Sequence, residues 1–466
     1  SSIYLNQVIL DYLSKLQEIK TTKNSIYDVD RPYILKSIGD ISVEVESDIY
    51  PYVLSLIDVF SDELKTKYQE RQKYEKELFY GIVKLTETIG ENMAPHLNNG
   101  LLDLMLACPL STYMKKTLNT IIEAIPGLDF TINARLLNLI SLALSGKDFR
   151  IPGSPTQEDK FSKRKARTWR DNNEYNRNGR VNTESNDCNI VIQALTMLQS
   201  TKSQYSLIEF VQNCIIYYIE HDNYKVRELA SITCCDLLVH DGICKQMSVN
   251  ALNTVSEILS KLLTVAITDV VPNIRLEILK HLDQNTDFQL AQPENIRLLF
   301  TVLNDEIFSI RVQVIKILGR LTSVNPAYVI PSLRKILLEL LTELKYLTMA
   351  RRNEESLTLL CSLISSTRGT CKPYLEPILQ ILLVKAKDKS GAVSSIALKA
   401  IGELAVVTGE DIKDHLSEVV PLIIETFQDQ SNSFKRNAAL KSFSQITSAS
   451  GYVIDPLLDY PTFLSV

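Results

Sequence analysis

The stretch DEIFSIRVQVIKILGRL, residues 305–321, joins a turn to an amphipathic helix. After Asp305 come Ile310 and the basic Arg311, and apolar residues then recur at helical spacing. The same order of an aspartate followed four to seven positions later by an apolar and a basic residue recurs at Asp222…Arg227, Asp269…Arg275 and Asp429…Lys435-Arg436. The sequence therefore predicts one repeated unit that ends in an amphipathic helix.

The basic residues also give the length of the unit. Arg227, Arg275 and Arg311 are 48 and 36 residues apart, and Arg351 follows 40 residues later. A period near 40 with two helices per unit is typical of HEAT-type repeats. We therefore expect an all-α fold, a HEAT-type α-solenoid of roughly ten helix pairs with one long loop insertion.

The helical pattern divides the chain into three regions. Residues 1–145 predict degenerate repeats, with Gly90 closing one helix, and residues 188–466 predict regular repeats. Between them, residues 146–187 lack apolar periodicity and predict a mobile polar and basic loop. The chain begins without Met and stops at residues 463–466 inside an apparent helix, which predicts a piece of a longer protein.

The repeated charges have a structural interpretation. An aspartate just before a helix can accept bonds from the free N–H groups of that helix, which stabilises it by about 1 kcal/mol. The arginine can reach the aspartate of a stacked neighbour, giving a ladder of charge-assisted bonds. The ladder would comprise Asp222, Arg227, Asp269, Arg275, Asp305, Arg311, Asp429 and Lys435. An anion-binding row of arginines is the alternative; we favour the ladder because each arginine comes with its own aspartate.

The loop carries a dense basic run, formed by Lys163, Arg164, Lys165 and Arg167. This run fits a nuclear-localisation signal or a patch for anionic lipids, and it fits a solvated loop better. Ser154, which precedes Pro155, is a candidate regulatory phosphorylation site.

Composition excludes several classes of protein. The net charge is −5, which argues against nucleic-acid binding as a main role. The eight cysteines form no CxxC pair and predict buried thiols in a reducing compartment. We find no signal peptide and no apolar run of about 18 residues, and therefore expect a cytosolic protein without membrane insertion.

No set of residues predicts catalysis. The phosphate-loop, nucleophile-elbow, zinc-protease and kinase motifs are missing from the sequence. His240 and Cys244 share a turn, but zinc requires further ligands, so an ordinary structural role is favoured. The acidic pair Glu354-Glu355 fits an exposed helix start. We expect no catalytic residue, no metal and no cofactor in this chain.

From about Leu101 onward, the sequence resembles the N-terminal helical-repeat region of the target of rapamycin (TOR) protein kinases. The strings that carry this resemblance are LSGKDFRIPGSP at 144–155, LSKLLTVAITDVVPNIRLEILKHLD at 259–283, LAQPENIRLLFTVLNDEIFSIR at 290–311, NPAYVIPSLRKILLELLTEL at 325–344, PYLEPIL at 373–379, IGELA at 401–405 and GYVIDPLLDYPT at 451–462. The resemblance as a whole covers roughly three-quarters of the chain. Residues 1–100 and the insert at 156–187 depart from the match.

The resemblance implies a growth-controlling, nutrient-responsive Ser/Thr kinase whose catalytic and rapamycin-binding domains lie outside this stretch, with ATP and Mg²⁺ bound only there. It implies protein partners, namely a second TOR protomer and subunits of the Raptor and Rictor types. It also implies a cytoplasmic protein that reaches vacuolar, lysosomal or other endomembranes peripherally through its complex.

Our leading hypothesis is therefore a non-catalytic scaffold for dimerisation and subunit docking. A transport receptor of the karyopherin kind or a phosphatase scaffold is the alternative, although a charge of −5 is mild for a karyopherin. A third hypothesis, an enzyme site in the unmatched first 100 residues, has little support.

Overall fold

The computed structural model describes residues 2–22, 30–108, 110–145, 183–199, 207–240, 249–346, 350–367, 369–428 and 432–451. Within these ranges every regular element is helical, which confirms the predicted all-α class. The chain divides into two compact units, Ser1–Thr233 and Cys234–Val466. The boundary lies inside a helix, whereas the sequence analysis began the regular repeats at residue 188.

The first unit is a series of helices of uneven length. They are α1 (Ser2–Thr22), α2 (Arg31–Val45), α3 (Val53–Leu64), α4 (Tyr68–Arg71), α5 (Glu75–Ile89), α6 (Ala94–His96), α7 (Leu102–Leu106), α8 (Thr112–Ala124), α9 (Asp129–Ser145), α10 (Thr183–Gln199) and α11 (Ile208–Phe210). Short 3-10 and π turns join several of them. Helix α12 (Tyr224–His240) crosses the boundary between the units.

Local sequence explains where these helices start and stop. Ser111 precedes α8, and its hydroxyl accepts a hydrogen bond from the N–H of Met114. Gly90 ends α5 with φ of 62°, a left-handed conformation that glycine adopts without steric penalty, as the sequence predicts. Helices α2, α5 and α8 pack in succession, so their buried faces form a continuous core.

The predicted loop insertion lies largely outside the described residues. Its last five positions, 183–187, belong to α10, so the helix begins earlier than residue 188. Ser154 and the basic run at 163–167 fall in the undescribed part, and their predicted roles are untested by the structure.

The second unit is built from five helix pairs. The first helices of the pairs are α13 (Val249–Thr268), α16 (Pro293–Val302), α18 (Pro326–Tyr346), α20 (Leu375–Ala386) and α22 (Leu416–Gln428). The second helices are α14 (Pro272–His281), α17 (Phe308–Leu321), α19 (Ala350–Ser366), α21 (Gly391–Thr408) and α23 (Ser433–Ser450). A four-residue helix, α15 (Asp287–Leu290), lies between the first and second pairs.

These ten helices form two layers. Each first helix packs on the first helix of the next pair, and each second helix packs on the next second helix. The apolar core lies between the layers, where Ile278, Val314, Leu360 and Ile401 are completely buried. This is the two-helix repeat that the period of the sequence predicts.

Glycines allow close approach between second helices. A Cβ added to Gly402 of α21 would lie 2.8 Å from the Cα of Ser442 in α23. One added to Gly319 of α17 would lie 2.9 Å from the carbonyl carbon of Ser366 in α19. Separations this short are not tolerated by a side chain, so glycine is required at both contacts.

Two segments are long and apolar enough to span a membrane by length and composition, Ala251–Thr268 and Gly391–Gln428. The sequence analysis considered only uninterrupted apolar runs, whereas both of these segments contain charged residues. The second segment comprises α21, a 3-10 turn and α22, and 56% of its window is buried inside the protein. Helices of a buried core pass the same test, so the segments are explained by packing within the array.

Candidate functional site

The turn that enters each second helix is held by an Asp or Asn side chain. Asp269 Oδ1 accepts the N–H of Val271 at 2.8 Å, and Asp305 Oδ1 accepts the N–H of Ile307 at the same distance. Both aspartates lie three residues before the helix, and each carboxylate stabilises the turn that leads into it. At Asp305 this bond is an Asx turn rather than the predicted cap of the helix N–H groups.

Arg275 connects two successive repeats. Its Nε and Nη2 donate to the two carboxylate oxygens of Asp305, at 2.9 and 3.1 Å, and its Nη1 donates to the carbonyl of Asp269 at 2.6 Å. The side chains of Arg275 and Asp305 are each 7% exposed. Two parallel bonds between opposite charges are strong and directional, so Asp305 both shapes its own turn and holds the preceding repeat.

Arg311 occupies the same position one repeat later, with a different acceptor. Its Nη2 donates to Glu355 Oε2 at 3.0 Å, and its guanidinium lies 5.5 Å from the centre of the Phe308 ring. The sequence before α19 reads Leu347-Thr348-Met349 and offers no aspartate, so a glutamate within the helix takes its place. Glu355 is therefore part of the contact between repeats, beyond the helix-dipole role predicted for it.

The predicted ladder begins at Asp222 and Arg227 and ends at Asp429 and Lys435. Arg227 Nη1 donates to the backbone carbonyls of His221 and Asp222, at 2.9 and 3.0 Å, and Asn223 supplies the Asx turn there. Asp222 thus contributes its backbone carbonyl to Arg227, and the predicted pairing of Arg227 with the aspartate of the next repeat stays a prediction. Asp429 lies outside the described residues.

At the last repeat the turn is capped by Asn432. Its Oδ1 accepts the N–H groups of Phe434 and Lys435 at 3.0 and 3.3 Å. Lys435 therefore takes part in the cap through its backbone. The sequence analysis overlooked Asn432 because it searched for aspartate.

The sequence analysis also overlooked the turn that leads into α21. Asp388 Oδ1 accepts the N–H of Ser390 at 2.9 Å, which is the same Asx turn. Six residues after Asp388, where the other repeats have arginine, Ser394 donates instead to the carbonyl of Ala386 at 2.6 Å. The sequence does contain an aspartate at the expected distance before the helix. It was not recognised because no basic residue follows it at the expected position.

A cleft of about 900 Å³ lies at the opposite ends of the second helices, where each repeat connects to the next. Arg320 and Asp287 line it and form a second two-bond pair, at 3.1 and 2.9 Å. The remaining wall combines apolar side chains such as Phe288 with small polar ones such as Thr322 and Ser366. Its arginine is already paired with Asp287, and no histidine is among its lining residues.

The first unit contains one buried charged network. Arg31 of α2 lies 3.9 Å from Glu63 of α3, and its Nη1 donates to the hydroxyl of Tyr74 at 3.2 Å. Burial, reinforced by the Glu63 charge, raises the pKa of Tyr74 to about 12. Burial likewise raises the pKa of Glu75, against the opposing hydrogen bond from Ser111. Glu63 is fully enclosed, so the network holds helices together and is closed to a substrate.

The thiols are structural as well. Burial raises the pKa of Cys361 to about 11 and also raises that of Cys371, which disfavours reactive thiolates. Across the part of the chain that the structure describes, no three His, Cys, Asp or Glu side chains form a group that could hold a metal. Cys244, the proposed neighbour of His240, is outside that part.

Sequence comparison gives clear relatives. The chain is 52% identical over 463 residues to the serine/threonine-protein kinase TOR2 of Saccharomyces cerevisiae, a match that covers 99% of this chain and 19% of the relative. It is 38% identical to the serine/threonine-protein kinase tor1 of Schizosaccharomyces pombe, covering 94% of this chain and 18% of that protein. The chain thus spans about a fifth of the length of these relatives. No family model matches it.

Comparison of structures shows the fold. Importin beta is 14% identical with a TM-score of 0.56, covering 97% of this chain and 59% of that one. The karyopherin Kap121p bound to the SUMO protease Ulp1p is 13% identical with a TM-score of 0.55, covering 96% of this chain and 45% of its own. At such identities the similarity concerns the HEAT-type architecture alone.

Proposed function

Because this chain belongs to the TOR family of Ser/Thr protein kinases, as a segment about a fifth as long as its curated relatives, we propose that it is a non-catalytic scaffold within a TOR kinase. In this role it contacts a second TOR protomer and docks accessory subunits of the Raptor and Rictor types. The full-length protein would act as an ATP-dependent kinase in the nutrient-responsive control of cell growth.

The observation that carries this proposal is that charged side chains join adjacent helix pairs to one another. The two-bond Arg275–Asp305 pair and the Arg311–Glu355 pair join adjacent repeats, so these charges stabilise the array. The faces of the two layers that point away from the core remain available to other molecules. A long, laterally stabilised surface of this kind is what a docking scaffold requires.

The remaining features of the proposal concern the full-length protein. ATP and Mg²⁺ would bind in the kinase domain, and this segment would need no cofactor. We propose a cytoplasmic location, with peripheral attachment to vacuolar, lysosomal or other endomembranes through the complex.

The test is a binding measurement with purified components. The 466-residue chain is immobilised and presented with purified Raptor-type and Rictor-type subunits, and importin beta serves as a matched bait of the same fold. We expect at least one subunit to bind this chain and not importin beta. Equal recovery on both baits, or recovery on neither, contradicts the docking role.

A kinase assay tests the non-catalytic part separately. The chain is incubated with labelled ATP, Mg²⁺ and a Ser/Thr peptide after stringent purification. We expect no phosphate transfer above that of a buffer control, and turnover that persists through purification would overturn the assignment.

A further inference from the structure

The two layers of the second unit differ in charge. The second helices α14, α17, α19, α21 and α23 carry eleven Lys and Arg against four Glu and no Asp. The first helices α13, α16, α18, α20 and α22 carry six Lys and Arg against seven Glu. One layer is thus strongly basic in a chain whose net charge is −5. The ion pairs between repeats do not by themselves explain this difference in charge between the two layers.

Four lysines stand in register on the second helices. Each is the ninth residue of its helix, and they are Lys280, Lys316, Lys399 and Lys441. All four are exposed, and α19 has Thr358 at the same position. Five residues separate Lys280 from Arg275, which is about 140° around a helix of 3.6 residues per turn. The lysines therefore face away from the arginines that join the repeats, and form a separate row.

Most of this row has no internal counter-charge. Lys280 pairs with Glu277 at 2.7 Å on its own helix. Lys316, Lys399 and Lys441 form no ion pair with any carboxylate in the described ranges. The charges of Lys399 and Lys441 both act on the thiol of Cys361 in α19, where they oppose the rise in its pKa. Lys399 and Lys441 therefore lie near the same part of α19, where Glu403 contributes a charge of opposite sign.

Exposed apolar side chains lie beside the lysines. Leu440, 53% exposed, is adjacent to Lys441, and Phe434, 79% exposed, lies seven residues before it on the same face of α23. Val406, 54% exposed, lies seven residues after Lys399 on α21. The surface therefore offers alternating positive and apolar positions, where a partner with negative and apolar side chains would fit.

The spacing defines the shape of that partner. Neighbouring packed helices are about 8–10 Å apart. A chain in the extended polyproline II conformation rises about 3.1 Å per residue with three residues per turn, so one helix spacing corresponds to about three residues and every third side chain faces the same way. A peptide in this conformation lying across the second helices would meet Lys280 and Lys316, and again Lys399 and Lys441, about three residues apart, with Thr358 between the two pairs.

We propose that this lysine row, formed by Lys280, Lys316, Lys399 and Lys441, binds an extended acidic protein segment whose carboxylates recur about every third residue with apolar side chains between them. The inference rests on the docking role proposed above and names the chemistry of the segment that an accessory subunit would contribute. A nucleic acid fits less well, because Arg275 and Arg311, which suit phosphate best, are already bonded to Asp305 and Glu355. An anionic membrane also fits less well, because it would not select the three-residue spacing.

The probe is a fluorescent twelve-residue peptide with Glu at every third position and Leu and Ser between. Its binding to the 466-residue chain is measured by fluorescence anisotropy at low and physiological salt. The variant carries Lys316→Glu, Lys399→Glu and Lys441→Glu. A matched control carries Lys261→Glu, Lys335→Glu and Lys345→Glu, three exposed positions of the first-helix layer, so that both variants have the same net charge.

We expect the second-layer variant to bind about tenfold more weakly or worse, because it loses three charge contacts, and the control variant to bind within about twofold of the original chain. A peptide of the same composition with its Glu residues clustered should bind more weakly than the spaced peptide. Equal losses in both variants, or no preference for the spaced peptide, would overturn the proposal. Tighter lysine-dependent binding to duplex DNA or to phosphatidylserine vesicles would overturn it in favour of those ligands.

Binding of the purified accessory subunits separates this inference from the docking role. If the subunits bind the original chain and the second-layer variant equally well, docking stands and the lysine row is refuted as its site. If no subunit binds the original chain while the peptide binds through the lysines, the docking role fails and the row remains an acidic-peptide site.

Discussion

The two units of the chain use buried charge in different ways. In the second unit, Arg275 and Arg311 occupy equivalent positions and each bonds to a carboxylate of the following repeat. In the first unit, Arg31, Glu63 and Tyr74 form one network that has no counterpart among the described repeats. A repeated contact leaves a period in the sequence, and a single network leaves none. Sequence reasoning is therefore strongest where the structure repeats.

The largest expected effect is that of Arg275→Ala. This change leaves the carboxylate of Asp305 buried without its partner, which typically destabilises a protein by about 3–5 kcal/mol. Hydrogen exchange in peptides from α14 and α17 should report a loss of that size. Arg351→Ala is the control, because its side chain is 93% exposed, and it should change exchange little. Similar effects of the two substitutions would contradict the difference between buried and exposed arginines.

The next effect concerns the close approach of the second helices. Gly402→Ala would place a methyl group against the backbone of Ser442, which should destabilise the array by about 2 kcal/mol. The midpoint of urea unfolding, followed by circular dichroism, measures this loss. Gly127→Ala, where a methyl group meets open space, is the control. An unchanged midpoint for Gly402→Ala would show that the helices move apart easily.

A pH experiment tests the single network of the first unit. The pKa of Tyr74 is raised in the folded state to about 12 from its usual value of 10.0. The stability linked to this group is fully present below pH 10 and is lost as the pH rises through 12, because ionisation is harder in the folded chain. Because one pKa unit is worth about 1.4 kcal/mol, we expect the first unit to lose about 1 to 2 kcal/mol by pH 11.

Tyr74→Phe should remove that part of the alkaline sensitivity. Protection from hydrogen exchange in α2 and α3, measured between pH 9 and 11 for the original chain and the variant, is the readout. A variant with the same pH dependence as the original chain would show that Tyr74 does not couple to folding.

The smallest expected effect is that of Arg311→Ala. The Arg311 and Glu355 side chains are 27% and 34% exposed, so water stabilises the carboxylate that remains. We expect a loss of about 1 kcal/mol in the opening of α17 and α19, well below that of Arg275→Ala. A loss as large as that of Arg275→Ala would show that burial does not set the strength of these contacts.

Much of the fold was predictable, for a physical reason. Apolar spacing and the Asp-to-Arg interval predicted the two-helix unit around Asp269 and Asp305, because the same contact is made each time. Asn432 and Asp388 were missed, since an Asx turn needs only a side-chain oxygen and no following arginine. The network around Glu63 was also missed, because its members come from separate helices and share no period.

The lysine row was within reach of the sequence and was still overlooked. Lys280, Lys316 and Lys441 lie five residues after Arg275, Arg311 and Arg436, but only the helix boundaries show that Lys399 occupies the same register. In that repeat Ser394 stands in place of the arginine. Aligning repeats by their helix starts, as the structure allows, recovers the pattern.

The central claim, that the repeated charges join neighbouring repeats, is tested most directly by a double-mutant cycle. Arg275→Ala, Asp305→Ala and the double variant are compared with the original chain by urea unfolding of the second unit. If the two side chains stabilise each other across the repeats, the effects of the single substitutions will fail to add, with a coupling of about 2 kcal/mol or more. Effects that add to within about 0.5 kcal/mol would show that the pair does not hold the repeats together, and would contradict the account.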